Sequence, residues 1–240
     1  TGPATDCSRR NFSAVPTNIS SAAVVLDLTY NRLSFVNRES FKGLAQLKVL
    51  NLSYNQISTI GQDSFSELPE LYELYLDHNG ISSIASDFFQ RPSRIENLDL
   101  SFNRIAHIGD SAFDDLGVTL KQLALGHNYL GRLFSIEKSI GIFQQLTNLT
   151  HLDLSNNGIY DFRSDAFRSQ SNIRSLNLAG NGLRDSGLFT EEHNHSSSGE
   201  YVLPVSVFRS LSSLNSLQIS HNSLRLCCEA YRGLTSLERL

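Results

Sequence analysis

Apolar residues fall along this chain at offsets of 0, 3, 5 and 10, with an asparagine at offset 8, and the whole set recurs. Leu47, Leu50, Leu52, Asn55 and Ile57 carry one copy; Leu71, Leu74, Leu76, Asn79 and Ile81 carry the next; Ile95, Leu98, Leu100, Asn103 and Ile105 a third. Further copies run from Leu120 to Leu130, Leu149 to Ile159, Ile173 to Leu183 and Leu214 to Leu224. A looser first copy starts at Ala23 and passes through Leu26, Leu28, Asn31 and Leu33, and another opens at Leu237. The asparagines are Asn31, Asn55, Asn79, Asn103, Asn128, Asn157, Asn181 and Asn222, so successive spacings are 24, 24, 24, 25, 29, 24 and 41. A second ladder keeps step: Phe41, Phe65, Phe89, Phe113, Phe143, Phe167, Phe208 and Tyr231.

This period decides the fold class. In each copy the two leucines separated by one residue alternate as on a short strand, leucines inward and the residue between them outward. One copy cannot bury its leucines alone, so copies stack and share a core. The expected fold is an α/β-type leucine-rich-repeat solenoid, a horseshoe with a parallel β-sheet on its concave face and an irregular or short-helix convex side. The asparagine amide carries donors and an acceptor for backbone groups freed where the strand turns away, and the phenylalanine fills the wider convex side. The expected organisation is an N-terminal cap over 1–22, eight repeats over 23–236 with insertions in the fifth and seventh, and the start of a truncated ninth over 237–240. Leu237 and Leu240 then need a cover from further chain.

Composition narrows the setting. Net charge is −4, from 20 basic and 24 acidic residues without a basic block, so no nucleic-acid partner is inferred. No apolar run approaches the roughly 18 residues of a membrane span. The absence of Met and of a signal-peptide pattern at Thr1 points to a segment of a longer protein, attached to a membrane only through an anchor outside it. Five N-x-S/T sequons, at Asn11, Asn18, Asn51, Asn148 and Asn194, favour the secretory pathway and an extracellular glycoprotein.

Cys7, followed by Val15-Pro16-Thr17-Asn18-Ile19 and then by Val24-Val25-Leu26-Asp27-Leu28-Thr29-Tyr30-Asn31, resembles the N-terminal cap and first repeat of Toll-like receptors. The 24-residue repeats, broken by copies of 29 and 41, are also similar to Toll-like ectodomains. The resemblance covers essentially the whole chain, although the repeat itself is shared with matrix proteoglycans and guidance proteins. It implies an ectodomain at the cell surface or in an endosome that recognises a microbial product, dimerises and signals through a domain absent here. The alternative is a matrix or adhesion module binding a host protein. The family's cap usually holds a cysteine pair, and only Cys7 is present, so its partner is expected upstream of Thr1.

Candidate chemistry is sparse. The outward positions Asp27, Asn51, Tyr75, Asp99, Ala124, Asp153, Asn177 and Gln218 include no paired nucleophile and base. Asp99 and Asp153 stand on the order of 10 Å apart at about 4.8 Å per strand, with no apolar pocket expected to raise either pKa, so no enzyme is expected. The residues before the first five ladder asparagines, Tyr30, Tyr54, His78, Phe102 and His127, form an aromatic stripe. It is either a stacking platform for a ligand or a set of rings that stack on one another. A glycan on Asn51 would obstruct the concave surface and push a binding site toward the flanks. The seventh copy carries 17 extra residues between Asn181 and Phe208. Leu188, Phe189, Glu191, Glu192, His193, His195 and Tyr201 in it make a candidate lateral partner surface over 184–204. The spacing of its acids and histidines fits no zinc pattern, so neither metal nor cofactor is expected. Cys227 takes a slot filled elsewhere by an inward Ile, which leaves Cys228 outward as a candidate for a disulfide to a segment beyond this chain. Mass spectrometry of protein secreted from eukaryotic cells is expected to find glycans at several of the five sequons; five bare asparagines would remove the main support for an extracellular setting.

Overall fold

The computed structural model describes residues 3–86, 88–89, 94–134, 142–160, 162, 166–184, 189–190, 205–224 and 234–239. Among them, nine strands form one parallel sheet in chain order: Ala4–Asp6, Val25–Asp27, Val49–Asn51, Glu73–Tyr75, Asn97–Asp99, Gln122–Ala124, His151–Asp153, Ser175–Asn177 and Ser216–Gln218. The middle residue of each repeat strand is a leucine, and these pair in register from Leu26 and Leu50 through Leu74, Leu98, Leu123, Leu152 and Leu176 to Leu217. All eight are almost fully buried. Burying a leucine is worth about 1.5–3 kcal/mol, and a one-residue slip would turn the whole row to solvent, so the leucines fix the register. The fold is the parallel solenoid that the period predicts.

Among the described residues the convex side is built from turns, short two-stranded pairs such as Phe35–Val36 with Thr59–Ile60, and three short 3-10 helices, Arg38–Phe41, Asp114–Leu116 and Leu130–Arg132. Phenylalanines run through it as a column with ring centroids 6.0 Å apart for Phe41 and Phe65, 6.3 Å for Phe65 and Phe89, and 6.0 Å for Phe89 and Phe113. Where the fifth copy lengthens, the regular ladder alone does not carry the column. Phe134 packs 5.9 Å from Phe143 and 5.2 Å from Phe162, which in turn lies 5.2 Å from Phe167. Phe134, outside the repeat pattern, and Phe162, a ring in the slot that holds Ile60, Ile84 and Ile108 in other copies, thus fill the space that the insertion opens.

Asparagines tie each turn to the one before it. Asn103 Nδ2 donates to Leu100 O (3.0 Å) in its own turn and to Leu76 O (2.9 Å) in the previous one, while its Oδ1 accepts from Ile81 N–H (3.0 Å). The same three-way bridge is made by Asn55, Asn79, Asn128, Asn157, Asn181 and Asn222. Asn31 has no earlier repeat, and the Cys7–Phe12 segment stands in: Cys7 O accepts from Nδ2, and Arg10 and Phe12 N–H donate to Oδ1.

The 41-residue copy leaves and rejoins this scheme without shifting it. Leu176 still pairs with Leu217, and Asn222 still reaches Leu178 O and Leu183 N–H. Phe189–Thr190 pairs antiparallel with Val205–Ser206 and closes the excursion near its base. Replacing Asn103 by Ala orphans the Ile81 N–H and leaves Leu76 O and Leu100 O with one ladder amide each, from Asn79 and Asn128, at about 1–3 kcal/mol for the buried N–H. Thermal melts are expected to show a clear loss for Asn103→Ala and almost none for the exposed Lys42→Ala; equal melting points would mean the amide bridge contributes nothing.

Candidate ligand-binding faces

The concave sheet is the broadest candidate face. The positions flanking the two core leucines of its eight repeat strands hold five carboxylates, Asp27, Glu73, Asp77, Asp99 and Asp153, and neither Lys nor Arg. Each carboxylate is held by local donors. Asp27 Oδ1 accepts from Thr29 N–H (2.8 Å), Asp99 Oδ1 from Ser101 N–H (2.9 Å) and Oγ–H (2.6 Å), and Asp153 Oδ1 from Ser155 N–H (2.8 Å). Tyr75 O–H donates to Glu73 Oε2 (2.6 Å), and Asp77 meets Ser53 Oγ and, at 2.9 Å, His78 Nδ1. Lys121, beside the sheet, is engaged with Glu96 at 2.5 Å.

Ala124 lies between Asp99 and Asp153 in register, a short side chain between two acidic ones. A depression of about 580 Å³ opens there, bounded by Tyr75 at one end and Gln218 at the other. Burial pushes the Asp99 carboxyl above the usual range, and the carboxylates of Asp77 and Asp153 push the same way, outweighing the hydrogen bonds from Ser101. This corrects the expectation that nothing near Asp99 raises its pKa: the sheet itself supplies the desolvation. Burial, with the hydrogen bond to Glu73 and nearby carboxylates, pushes the Tyr75 phenol up to about 12.

The aromatic stripe runs along the edge where the strands turn away. Ring centroids are 4.4 Å apart for Tyr30 and Tyr54, 4.0 Å for Tyr54 and His78, 4.2 Å for His78 and Phe102, and 4.1 Å for Phe102 and His127, with planes within 14°. Arg9 closes one end with its guanidinium 4.1 Å from the Tyr30 ring, and Asn156 Nδ2 meets His127 Nε2 at 3.1 Å at the other. The ring faces are spent on each other, so the stripe offers rims rather than a platform for an incoming base. Each of these five residues has φ between 52 and 56°, a left-handed conformation costing roughly 1–2 kcal/mol for a residue with a Cβ. Stacked pairs contribute about 0.5–1.5 kcal/mol each, enough to offset much of that strain. Asn156, Gly180 and His221 continue the left-handed series. At Gly180 a Cβ would meet Asn156 Oδ1 at 2.1 Å, so a side chain on this rung would have to displace the Asn156 amide. Reading the position before the ladder asparagine past the fifth copy would have found them.

The sequons fall in different settings. Asn11 and Asn18 are exposed on the segment ahead of the first repeat. Asn148 is exposed and donates from Nδ2 to Val118 O at 2.7 Å. Asn51 is half-buried on the concave sheet, its Oδ1 taken by Ser53 N–H at 3.0 Å. It adjoins Tyr75 at the N-terminal rim of the depression, so a glycan there attaches two strands from Asp99. Cys7 is half-buried against the core and free among the described residues. Asn194, Cys227, Cys228, Leu188, Glu191, Glu192, His193, His195 and Tyr201 lie outside the described residues. Among the described residues no His/Cys/Asp/Glu group of metal-binding size occurs, and no helix is long and apolar enough to cross a membrane.

With a folded pKa raised above the unfolded value of about 3.9, ionised Asp99 destabilises the folded chain at neutral pH, and this cost fades as pH falls through the folded pKa. Asp99→Asn keeps the acceptor for Ser101 and removes the charge. It is expected to raise the melting temperature at pH 7, with the gain shrinking toward pH 4; a variant less stable at pH 7 rules this account out.

Comparison with known proteins places the chain. The leucine rich repeat family profile matches residues 23–81, 69–130 and 119–183. Keratocan of Mus musculus and of Bos taurus are each 39% identical over 69 residues, 28% of this chain and 18% of theirs. The crystal structure of the TLR13–ssRNA13 complex superposes on 91% of this chain and 40% of that one, with a TM-score of 0.62 and 24% identity, a likeness of fold. The chain thus spans under half the length of either relative. With the profile running from the first repeat to Leu183, this chain belongs to the leucine-rich repeat proteins.

Proposed function

We propose that this chain is a non-enzymatic ligand-binding part of a Toll-like innate immune receptor ectodomain, which recognises a microbial product and dimerises to signal. The supporting observation is an array that keeps a 24-residue period and breaks it with copies of 29 and 41 residues, together with the fold shared with TLR13 over 91% of the chain. In this reading 1–22 cap the solenoid, 23–236 are eight repeats and 237–240 open a ninth. The chain lies on the lumenal or extracellular side, with glycans on Asn11, Asn18, Asn51, Asn148 and Asn194. Cys7 and Cys228 form disulfides to segments outside the chain. A second reading, a matrix or adhesion module binding a host protein, is favoured by the 69-residue likeness to keratocan.

Residues 184–204 serve as the lateral docking surface. An excursion of this composition adds nothing to the core, and the register on either side ignores it, so stability does not explain its retention. Shortening 185–201 to a few Gly-Ser residues is expected to leave the melting temperature unchanged, because long surface excursions cost little. The shortened chain is expected to lose retention of fractionated heat-killed bacteria on immobilised protein. Retention of tissue extracellular matrix instead of bacterial fractions selects the second reading, and unchanged bacterial retention removes the excursion from the binding surface.

A further inference from the structure

The concave sheet is segregated by charge to a degree that the whole-chain composition hides. The chain carries 20 basic residues, yet none occupies the positions flanking the core leucines, where five carboxylates stand. Two of them, Asp99 and Asp153, face each other across Ala124, with one oxygen of each held by the serine two residues on. Their second oxygens take no partner among the described residues. Lys121, on the strand approach, is engaged with Glu96. His151, the base that lines the depression, has its Nδ1 against Thr150 Oγ1 at 2.9 Å. The depression between the two aspartates is open to solvent and wide enough for a side chain.

We propose that this face docks a protein segment presenting a Lys or Arg side chain, which enters above Ala124 and takes the free oxygens of Asp99 and Asp153. Two like charges about two strand spacings apart, on the order of 10 Å, repel across a partly desolvated floor. A guanidinium or ammonium between them reverses the sign of both interactions. Tyr75 and Gln218 bound the site along the solenoid axis, so the incoming chain crosses the strands with its cationic side chain pointing down. The same field repels phosphate and sulfate, so a nucleic acid or sulfated glycan finds no purchase on this sheet. The inference rests on the chain being a ligand-binding module, and it assigns the concave face a partner separate from whatever the lateral excursion holds.

The test uses the full chain and a fluorescein-labelled peptide carrying six arginines spaced by glycine, followed by anisotropy at low and at physiological salt. Asp99→Asn with Asp153→Asn, isosteric changes that keep the serine-capping acceptors, are expected to weaken binding about tenfold. Asp114→Asn with Asp115→Asn, on the convex side, are expected to change it less than twofold. Ala124→Arg, which supplies the missing cation from within, is expected to raise the melting temperature and abolish peptide binding. Equal loss in both double variants overturns the site, because a diffuse field then explains the binding. A lowered melting point in Ala124→Arg with peptide binding intact overturns it too. A single-stranded RNA of 13 nucleotides, titrated separately, is expected to ignore the Asp99/Asp153 change; weakened RNA binding in that variant overturns the choice of a basic partner. Bacterial retention lost on shortening 185–201, with peptide binding unchanged by the Asp99 and Asp153 substitutions, sinks this proposal and leaves the receptor reading intact.

Discussion

The amide of one asparagine per turn is the interaction on which the rest of this structure depends. A solenoid strand of three residues has little ladder to hold it, and the chain must leave the sheet at once. The backbone groups at that corner are buried beside the core, where an unpaired group costs about 1–3 kcal/mol. Asn103 resolves three of them, two in the preceding turn and one in its own. Because the bridge joins consecutive turns, it fixes their spacing as well as their shape. The leucine register and the aromatic edge both follow from that spacing.

The corner also forces the residue before each asparagine into a left-handed conformation, which explains the aromatic edge better than a binding role does. Tyr30, Tyr54 and Phe102 are poor candidates for φ near 53° on sterics alone. Rings one turn apart sit at stacking distance, and the contact returns much of what the conformation costs. Arg9 and Asn156 close the two ends. The convex column makes the same point with buried rings: where the fifth copy lengthens, Phe134 enters between Phe143 and Phe162 to keep it continuous.

How much of this was legible in the sequence follows from what repeats. Leu26 through Leu217, the asparagine ladder and the phenylalanine ladder recur at fixed offsets, so the fold and its core could be read directly. Phe134 could not, because it answers a local gap in one copy and shares no period with the rest; Phe162 stands in the slot of Ile60, Ile84 and Ile108, but its packing against Phe134 has no counterpart in the other copies. Among surface features, the column between the leucines was read, but Glu73 and Asp77 sit in the neighbouring columns, and the approach of Asp77 to Asp99 emerges only when the strands are laid in register. The raised pKa of Asp99 was missed for the same reason: the carboxylates that add their repulsion to the effect of burial, Asp77 and Asp153, stand 22 and 54 residues away in the chain. The excursion of the seventh copy was visible as a length, and its closing strand pair, Phe189–Thr190 with Val205–Ser206, was not.

The asparagine bridge has a direction. Every ladder amide reaches back toward the N-terminus, completing the corner of the turn made before it, and Asn31 does so for the segment that starts at Cys7. A chain emerging from the ribosome appears in that same order. Each new turn therefore seals the one already outside, and at any moment only the youngest corner waits for its partner. Were the chain to assemble by accretion in that order, its exposed edge would stay one turn wide throughout synthesis, the growing solenoid carrying its own temporary end with it.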